Sequence, residues 1–315
     1  MLFISGLYFD SAFNLACEEY LLHEFEEEIF ILWQNDKSIV IGKHQNALAE
    51  INIPYTLKNK IPVVRRLSGG GTVFHDMGNI NFTFIRNAAE RDKMIDFKKY
   101  AQPILTAIKS LGIHAYFSER NDIFIDGLKV SGNAEHLYQK KKRVLHHGTL
   151  LFNSHLDELN EAIRTDPERY IDKAVNSVRS KVANISDYLL SDISIMEFKQ
   201  HVYNAVWQSD ENPESYELSE VDRNQIEQLA DTKYRRWEWN YGYSPGYQVE
   251  RTLSIENSLI PIILTVEKGK IIEVNCQDSR FHGLKENMHQ PEAIHTKLSE
   301  VFAAIDLDDL ILQLF

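Results

Sequence analysis

The sequence predicts an α+β fold with a large domain followed by a small one. Three observations carry this. Short β-branched or alternating runs mark strands through the first 150 residues, between two long helical stretches. Helical patterns then dominate from about 154 to 234. Composition changes in "WEWNYGYSPGYQVE", residues 237–250, which is aromatic and carries Gly242, Pro245 and Gly246. We place the boundary there, with a catalytic-sized domain at 1–245 and a small α+β domain at 246–315. A chain of 315 residues has room for both.

Residues 11–28 predict an amphipathic helix, with Ser11 as its cap and Phe13, Ala16, Cys17, Tyr20, Leu21 and Phe25 near one stripe. Cys17 on that stripe reads as a small buried hydrophobe rather than a reactive thiol. "EIFILWQ", "SIVIGKH" and "NFTFIRN" predict strands. "DFKKYAQPILTAIKSLG" predicts a helix capped by Asp96 and stopped at Gly112, with a kink or late start at Pro103. Residues 121–133, "NDIFIDGLKVSGN", carry the clearest hairpin signal, a type I′ pair at Asp126-Gly127. A two-residue loop there pairs Ile125 with Leu128, Phe124 with Lys129, Ile123 with Val130 and Asp122 with Ser131. "VLHHGTLLFN" predicts the next strand, and helices follow near 154–164, 192–207 and 218–234. "PIILTVEKGKIIEVNC" predicts a hairpin turning at Lys268-Gly269, and the tail from about 290 reads as helical.

The 34 basic and 46 acidic residues leave a net charge of −12, which argues against nucleic acid as a partner. Cys17 and Cys276 are far apart and form no CxxC, so a reducing cytoplasm without disulfides is expected. "MLFISGLYFDSAF" has no basic n-region and Asp10 ends its apolar run, so neither a signal peptide nor a membrane span is expected. No GxxxxGK[ST], GxSxG, HExxH or paired CxxC occurs; Gly69 and Gly71 begin a GxGxxG, but position 74 is Phe.

What remains is "RRLSGGGTVFHDMGNINFTF", residues 65–84. Consecutive glycines let backbone N–H groups form an anion-binding nest, and Arg65 or Arg66 offers forked donors to phosphate or carboxylate. On a strand the two arginines point to opposite faces, so one faces the nest. The same residues also suit a plain β-turn flanked by solvated arginines. Lys129 shares a hairpin face with Asp122, Phe124 and Ser131. It reads either as a solubilising lysine or as a cleft lysine aimed by Asp122. His146 and His147 point to opposite sides of their strand, so they do not chelate one metal; one of them can line a pocket. "QKKKR", 139–143, reads as a solvated tip or as a dock for an acidic partner.

Taken together, "RRLSGGGTVFHDMGN", "NDIFIDGLKVSGNA", "HHGTLLFN" and "KYRRWEWNYGYSP" closely resemble the lipoate–protein ligase A family over nearly the whole chain. The resemblance implies a biotin/lipoate-ligase-like catalytic domain with mixed sheets and packed helices. It implies ATP-dependent activation of lipoate to lipoyl-AMP with release of pyrophosphate. The lipoyl group then passes to a lysine of an apo lipoyl domain, on a 2-oxoacid dehydrogenase E2 subunit or the glycine-cleavage H protein. By motif, Lys129 matches the catalytic lysine, which meets both substrates. Arg66, Gly71, Thr72, Val73 and Phe74 match nucleotide positions, with Asn79 and Asp122 on the same motifs. Ser68, Gly70, His75, Ala134 and His147 match positions around the lipoyl group. Mg²⁺ is expected with the ATP, near Asp122, and no tightly bound prosthetic group is expected. Rival readings are an ATP-independent lipoyl or octanoyl transferase with a cysteine nucleophile, a biotin ligase, and a non-catalytic lipoate-binding adaptor. The motif-distant cysteines oppose the first. A differing glycine–arginine loop opposes the second, and the intact Lys129 opposes the third.

Overall fold

The computed structural model describes residues 1–5, 7–88, 96–163, 170–178, 180–256, 258–285, 298–299 and 307–314. In chain order its strands are β1 (Leu2–Ser5), β2 (Ile29–Trp33), β3 (Ser38–Ile41), β4 (Val63–Arg65), β5 (Val73–His75), β6 (Asn79–Asn87), β7 (Ala115–Phe117), β8 (Ile123–Ile125), β9 (Leu128–Ser131), β10 (Asn133–Tyr138), β11 (Arg143–Leu151), β12 (Tyr170–Asp172), β13 (Glu214–Glu217), β14 (Tyr247–Ile255), β15 (Ser258–Glu267) and β16 (Lys270–Cys276). Its helices are α1 (Ser11–Glu24), α2 (Ala47–Glu50), α3 (Ile53–Lys58), α4 (Phe97–Ser110), α5 (Leu156–Ala162), α6 (Ile195–Ser209), α7 (Glu220–Leu229), α8 (Trp237–Asn240) and α9 (Leu307–Leu314). The chain is α+β, as its patterning predicts. Apart from α9, most of the tail from 290 onward lies outside the described residues. No described helix is long and apolar enough to cross a membrane.

A six-stranded mixed sheet, ordered β10-β11-β6-β2-β1-β13, organises the large domain. Phe3, Phe30, Phe82 and Phe84 bury one face against Ile104 and Ile108 of α4 and Val202 and Val206 of α6. Ile4, Ile29, Ile31 and Ile85 bury the other against Phe13, Ala16, Cys17 and Leu21 of α1. Both faces are covered, so β2 is apolar at every position rather than alternating. Two three-stranded sheets, β4-β3-β5 and β7-β8-β9, flank this layer and carry the two motif stretches.

Several local expectations need correction. Asp10, not Ser11, caps α1, accepting from the Ala12 N–H at 2.8 Å. α1 is not amphipathic: wedged between the sheet and the stretch around α7, it buries even Glu18 and Glu19. α4 starts directly after its Asp96 cap and runs on through Pro103, so no late start occurs. The β8–β9 hairpin turns at Asp126-Gly127, both at positive φ, and pairs Ile125 with Leu128 and Phe124 with Lys129 as expected. A bulge then shifts the register, so Ile123 faces Ser131 rather than Val130. Arg143 is not part of a solvated tip. It is fully buried and donates to carbonyls at the end of α1, including Leu21 O at 3.0 Å. There it satisfies orphan acceptors with a cation placed where the helix dipole favours one. Lys141 pairs with Glu26 at 2.6 Å, which leaves Lys140 and Lys142 as the exposed charges of that loop.

A four-stranded antiparallel sheet, β12-β14-β15-β16, has its own core of Val249, Leu253, Leu264, Ile271, Phe281 and Leu310. Its edge strand β12 comes from residues 170–172, well upstream of the aromatic segment.

His146 and His147 of β11 face opposite sides of the large sheet, as strand alternation requires. His146 turns toward α4, with Nδ1 2.9 Å from Glu135 Oε1; the second nitrogen and the second oxygen have no partner among the described residues. Burial pushes Glu135 up to about 8 from 4.5 and His146 down to about 3 from 6.5, so the pair is neutral at mid pH. From pH 6.5 to 8 the folded pair holds a proton that the unfolded chain has lost, so stability falls as pH rises across that window. Glu135→Gln should flatten the decline, read from urea midpoints at several pH values. Parallel profiles for the two proteins would show that the pair does not titrate this way.

Candidate active site

The two arginines before the glycines do diverge, and neither is solvated. Arg65, at the end of β4, is fully buried. Its Nε donates to Trp239 O at 3.0 Å, and its Nη1 to the carbonyls of Gly42, Lys43 and Gln45. Its Nη2 donates to Asn240 O at 2.7 Å and Ser244 Oγ at 2.9 Å. Arg66 turns the other way. Its Nη2 donates to Gly69 O at 2.6 Å and Gly71 O at 2.7 Å, Nη1 to Val40 O, and Nε to Ser68 Oγ at 3.0 Å. Burial pushes both guanidinium groups down to about 10, which leaves them charged at neutral pH.

Arg66 therefore shapes the glycine turn rather than standing free beside it. It draws in the carbonyls on either side of Gly70, which sits at φ +87°. The Gly70 carbonyl presses on Gly42 so closely that a Cβ there would lie 2.1 Å from the oxygen. Only glycine fits either position.

The turn borders a cavity of about 320 Å³. Of the nucleotide-side candidates, Arg66, Gly71, Thr72, Val73, Asp122 and Lys129 line it. Of the lipoyl-side candidates, Gly70, His75, Ala134 and His147 line it. Three candidates do not. Ser68 lies behind the wall between Arg66 and His147. Phe74 lines a smaller adjoining cavity of about 160 Å³ that shares Thr72 and Lys129. Asn79 is fully buried and donates to Asn81 Oδ1 at 3.0 Å, leaving Asn81 to line the cavity.

Lys129 enters from the hairpin with its ammonium 2.8 Å from Asp122 Oδ2. The register shift between Ile123 and Phe124 lies next to this contact. Gly132 leaves the ammonium room, since a Cβ there would sit 3.1 Å from Nζ. The Lys129 backbone is held on both sides, its N–H donating to Lys181 O and its carbonyl accepting from the Ala183 N–H.

His147 belongs to a buried relay. Its Nδ1 donates to both Glu18 oxygens, at 2.9 and 3.0 Å. Its Nε2 lies 2.6 Å from Ser68 Oγ, which accepts from Arg66 Nε. Glu18 also accepts from Thr83, which accepts from Trp33 Nε1 at 2.9 Å. The tautomer of His75 is equally determined. Asn14 Nδ2 donates to the Tyr8 and Gln34 carbonyls and to Asn35 Oδ1, so Asn35 presents its Nδ2 to His75 Nδ1 at 2.9 Å. His75 therefore carries its proton on Nε2. Burial holds it down to about 3, hence neutral.

The sequence reading missed Glu18, which a stripe count assigns to the exposed side of α1. It also missed Ser177, Glu50 and Gln45, which belong to no motif. Ser177 Oγ accepts from the Thr72 N–H at 2.9 Å and from Gln45 Nε2 at 3.0 Å, and donates to Glu50. The segment after β12 thus covers the glycine turn. No group of three His, Cys, Asp or Glu side chains poised for a metal occurs among the described residues.

The Gly42–Gly70 contact is open to test. Gly42→Ala should cost about 1–3 kcal/mol of stability by overpacking. A urea midpoint equal to that of the unsubstituted protein would refute the close approach.

Comparison with known proteins agrees with this geometry. Residues 10–207 match the family model of the lipoyl protein ligase A/B catalytic domain. Lipoate–protein ligase 1 of Staphylococcus aureus is 38% identical over 318 residues, covering 96% of each chain. A putative lipoate protein ligase from Thermoplasma acidophilum, solved with bound lipoic acid, superposes with a TM-score of 0.65 at 25% identity, over 76% of this chain and 98% of that one. The archaeal ligase, described as bipartite, has also been studied with its E2 lipoyl domain, at the same TM-score and identity, over 77% of this chain and 96% of that one. A lipoate–protein ligase A bound with ATP gives 0.65 at 26% identity, over 77% and 98%. The chain belongs to the lipoate–protein ligase A/B family.

Proposed function

We propose that this chain joins lipoate to proteins in two steps, with ATP as the activating substrate. The observation that carries the reading is one cavity bearing both the Arg66-shaped glycine turn and Lys129, with Asp122 beside the ammonium. Relatives solved with lipoic acid and with ATP support the same pair of substrates. Lipoate's carboxylate attacks the α-phosphorus, pyrophosphate leaves, and lipoyl-AMP forms. The Lys129 ammonium lies between the two anions and stabilises the charge that gathers as they meet. The acceptor lysine amine then attacks the acyl carbon and AMP leaves. Acceptors are apo lipoyl domains of E2 subunits or of the glycine-cleavage H protein.

The deep wall suits an acyl chain: Leu15, Trp33 and Val40 are apolar, His75 presents a neutral ring, and both His75 and His147 are fixed from behind. The Thr72 N–H, a natural phosphate donor, is bonded to Ser177 in this structure, so a phosphate oxygen must exchange with that hydroxyl. Asp122 is the carboxylate beside Lys129 on the wall. One carboxylate suits a Mg²⁺ that arrives on the triphosphate rather than in a protein cage, and such an ion would offset phosphate charge. We assign catalysis to residues 1–245, with the residues from 246 onward as an accessory domain, and place the protein in the cytoplasm. The two cysteines are free and buried, and burial holds the Cys17 thiol far above its usual range, which disfavours a cysteine-based transferase.

The deciding experiment is lipoate- and ATP-dependent pyrophosphate release, followed by transfer to an apo H protein or E2 domain. Acceptor modification from a lipoylated donor without ATP would refute the reading. Lys129→Ala should lower pyrophosphate release on the order of 10²–10³-fold while the protein stays folded. Near-normal release would remove Lys129 from the chemistry. Gly70→Val should abolish lipoate binding, because its φ is unsuited to a β-branched residue and its side chain points toward Arg66 and Ala134. Unchanged affinity by calorimetry would oppose that placement.

A further inference from the structure

Adenylation asks the protein to accommodate a leaving group as well as to aim an attack. Pyrophosphate departs with the electron pair of the broken phosphorus–oxygen bond and carries several negative charges. Three cationic side chains line the cavity among the described residues: Arg66, Lys129 and Arg120. Arg66 spends its donors on Val40, Ser68, Gly69 and Gly71. Lys129 is paired with Asp122 at 2.8 Å. The Arg120 guanidinium has neither a hydrogen bond nor an ion pair among the described residues.

Its backbone, by contrast, is pinned. The Ser118 N–H donates to Asp122 O at 2.9 Å, and the Asn121 N–H to Ser118 O at 3.1 Å. Ser118 Oγ accepts from the N–H groups of Arg120 and Asp122, each at 3.2 Å. Asn133 Nδ2 donates to Asn121 O at 2.9 Å, tying the turn to β10. Asn121 completes the turn at φ +64°. An exposed five-donor group with a charge and no partner among the described residues thus stands on a fixed turn at the cavity, two residues from the carboxylate that aims Lys129.

We propose that Arg120 binds the β- and γ-phosphates of ATP and stabilises pyrophosphate as it leaves. This rests on the two-step reading above. Lys129 then serves the bond that forms and Arg120 the bond that breaks. Carboxylate oxygen adds to the α-phosphorus, the bridging oxygen leaves with pyrophosphate, and no proton moves. The guanidinium fork suits non-bridging phosphate oxygens in pairs. The second step has no pyrophosphate, so Arg120 has no part in it.

The test separates the two steps. Arg120→Ala and Arg120→Lys are compared with the unsubstituted protein for pyrophosphate release from lipoate and Mg-ATP. They are also compared for lipoyl transfer from synthetic lipoyl-AMP to an apo lipoyl domain. The expected result is about a 100-fold loss of release in Arg120→Ala, partial recovery in Arg120→Lys, and transfer within twofold throughout. Release unchanged in Arg120→Ala overturns the assignment while leaving ATP dependence intact. Equal losses in both steps also overturn it, as they would mark a structural residue. Failure of the unsubstituted protein to release pyrophosphate overturns the two-step reading and this assignment with it.

Discussion

The site depends on two buried guanidinium groups that have no carboxylate in direct contact among the described residues. Burying a charge is costly unless its hydrogen bonds are replaced. Arg65 and Arg66 replace theirs almost wholly with main-chain carbonyls. This makes the arrangement demanding: the loops around them must turn their carbonyls inward or leave a fixed charge unsolvated. Arg65 gathers the carbonyls of Gly42, Lys43, Gln45, Trp239 and Asn240. Arg66 gathers those of the glycine turn. A lysine at either position would supply one charged atom where a planar fork spans several acceptors.

The same logic runs outward through neutral groups. Glu18 receives Thr83 and His147, His147 meets Ser68, and Ser68 receives Arg66. Each link orients the next, so both cavity histidines present a defined edge. An acyl pocket needs this: polar groups close to an apolar chain are tolerable when their hydrogen bonds are made from behind. On the opposite face of the sheet, the neutral Glu135–His146 pair uses the same device under α4.

Much of this was legible in the sequence. Strand alternation separates Arg65 from Arg66 and His146 from His147, and a two-residue turn puts Lys129 on the face of Phe124. What stayed hidden follows from physics that acts at a distance along the chain. The bulge between Ile123 and Phe124 leaves no mark in the alternation, yet it sets the register beside Asp122. Glu18 looks like a surface acid because a stripe count on one helix cannot show that a second layer covers its other side. Ser177, Glu50 and Gln45 meet only in the folded chain, from segments 127 and 132 residues apart. Gly42 could not be distinguished from a routine strand-end glycine, because its partner, the Gly70 carbonyl, comes from another loop.

These contacts also join the small sheet to the chemistry. β12 pairs with β14, so the sheet built from the C-terminal residues includes 170–172. Five residues further on, the same backbone places Ser177 on the Thr72 N–H, and further still it pairs with the backbone of Lys129. Asp172 accepts from Asn46 at 3.0 Å and the Val175 N–H donates to His44 O, so this strap is fastened beside the loop that Arg65 holds. The Arg65 bonds to Trp239, Asn240 and Ser244 fasten the other approach to that sheet. The strap that carries Ser177 to the glycine turn is therefore continuous with the edge strand of the small sheet. Arg65 holds the loop beside that strap and, through Trp239, Asn240 and Ser244, the segment that leads into β14, so one buried guanidinium stands between both approaches to the sheet.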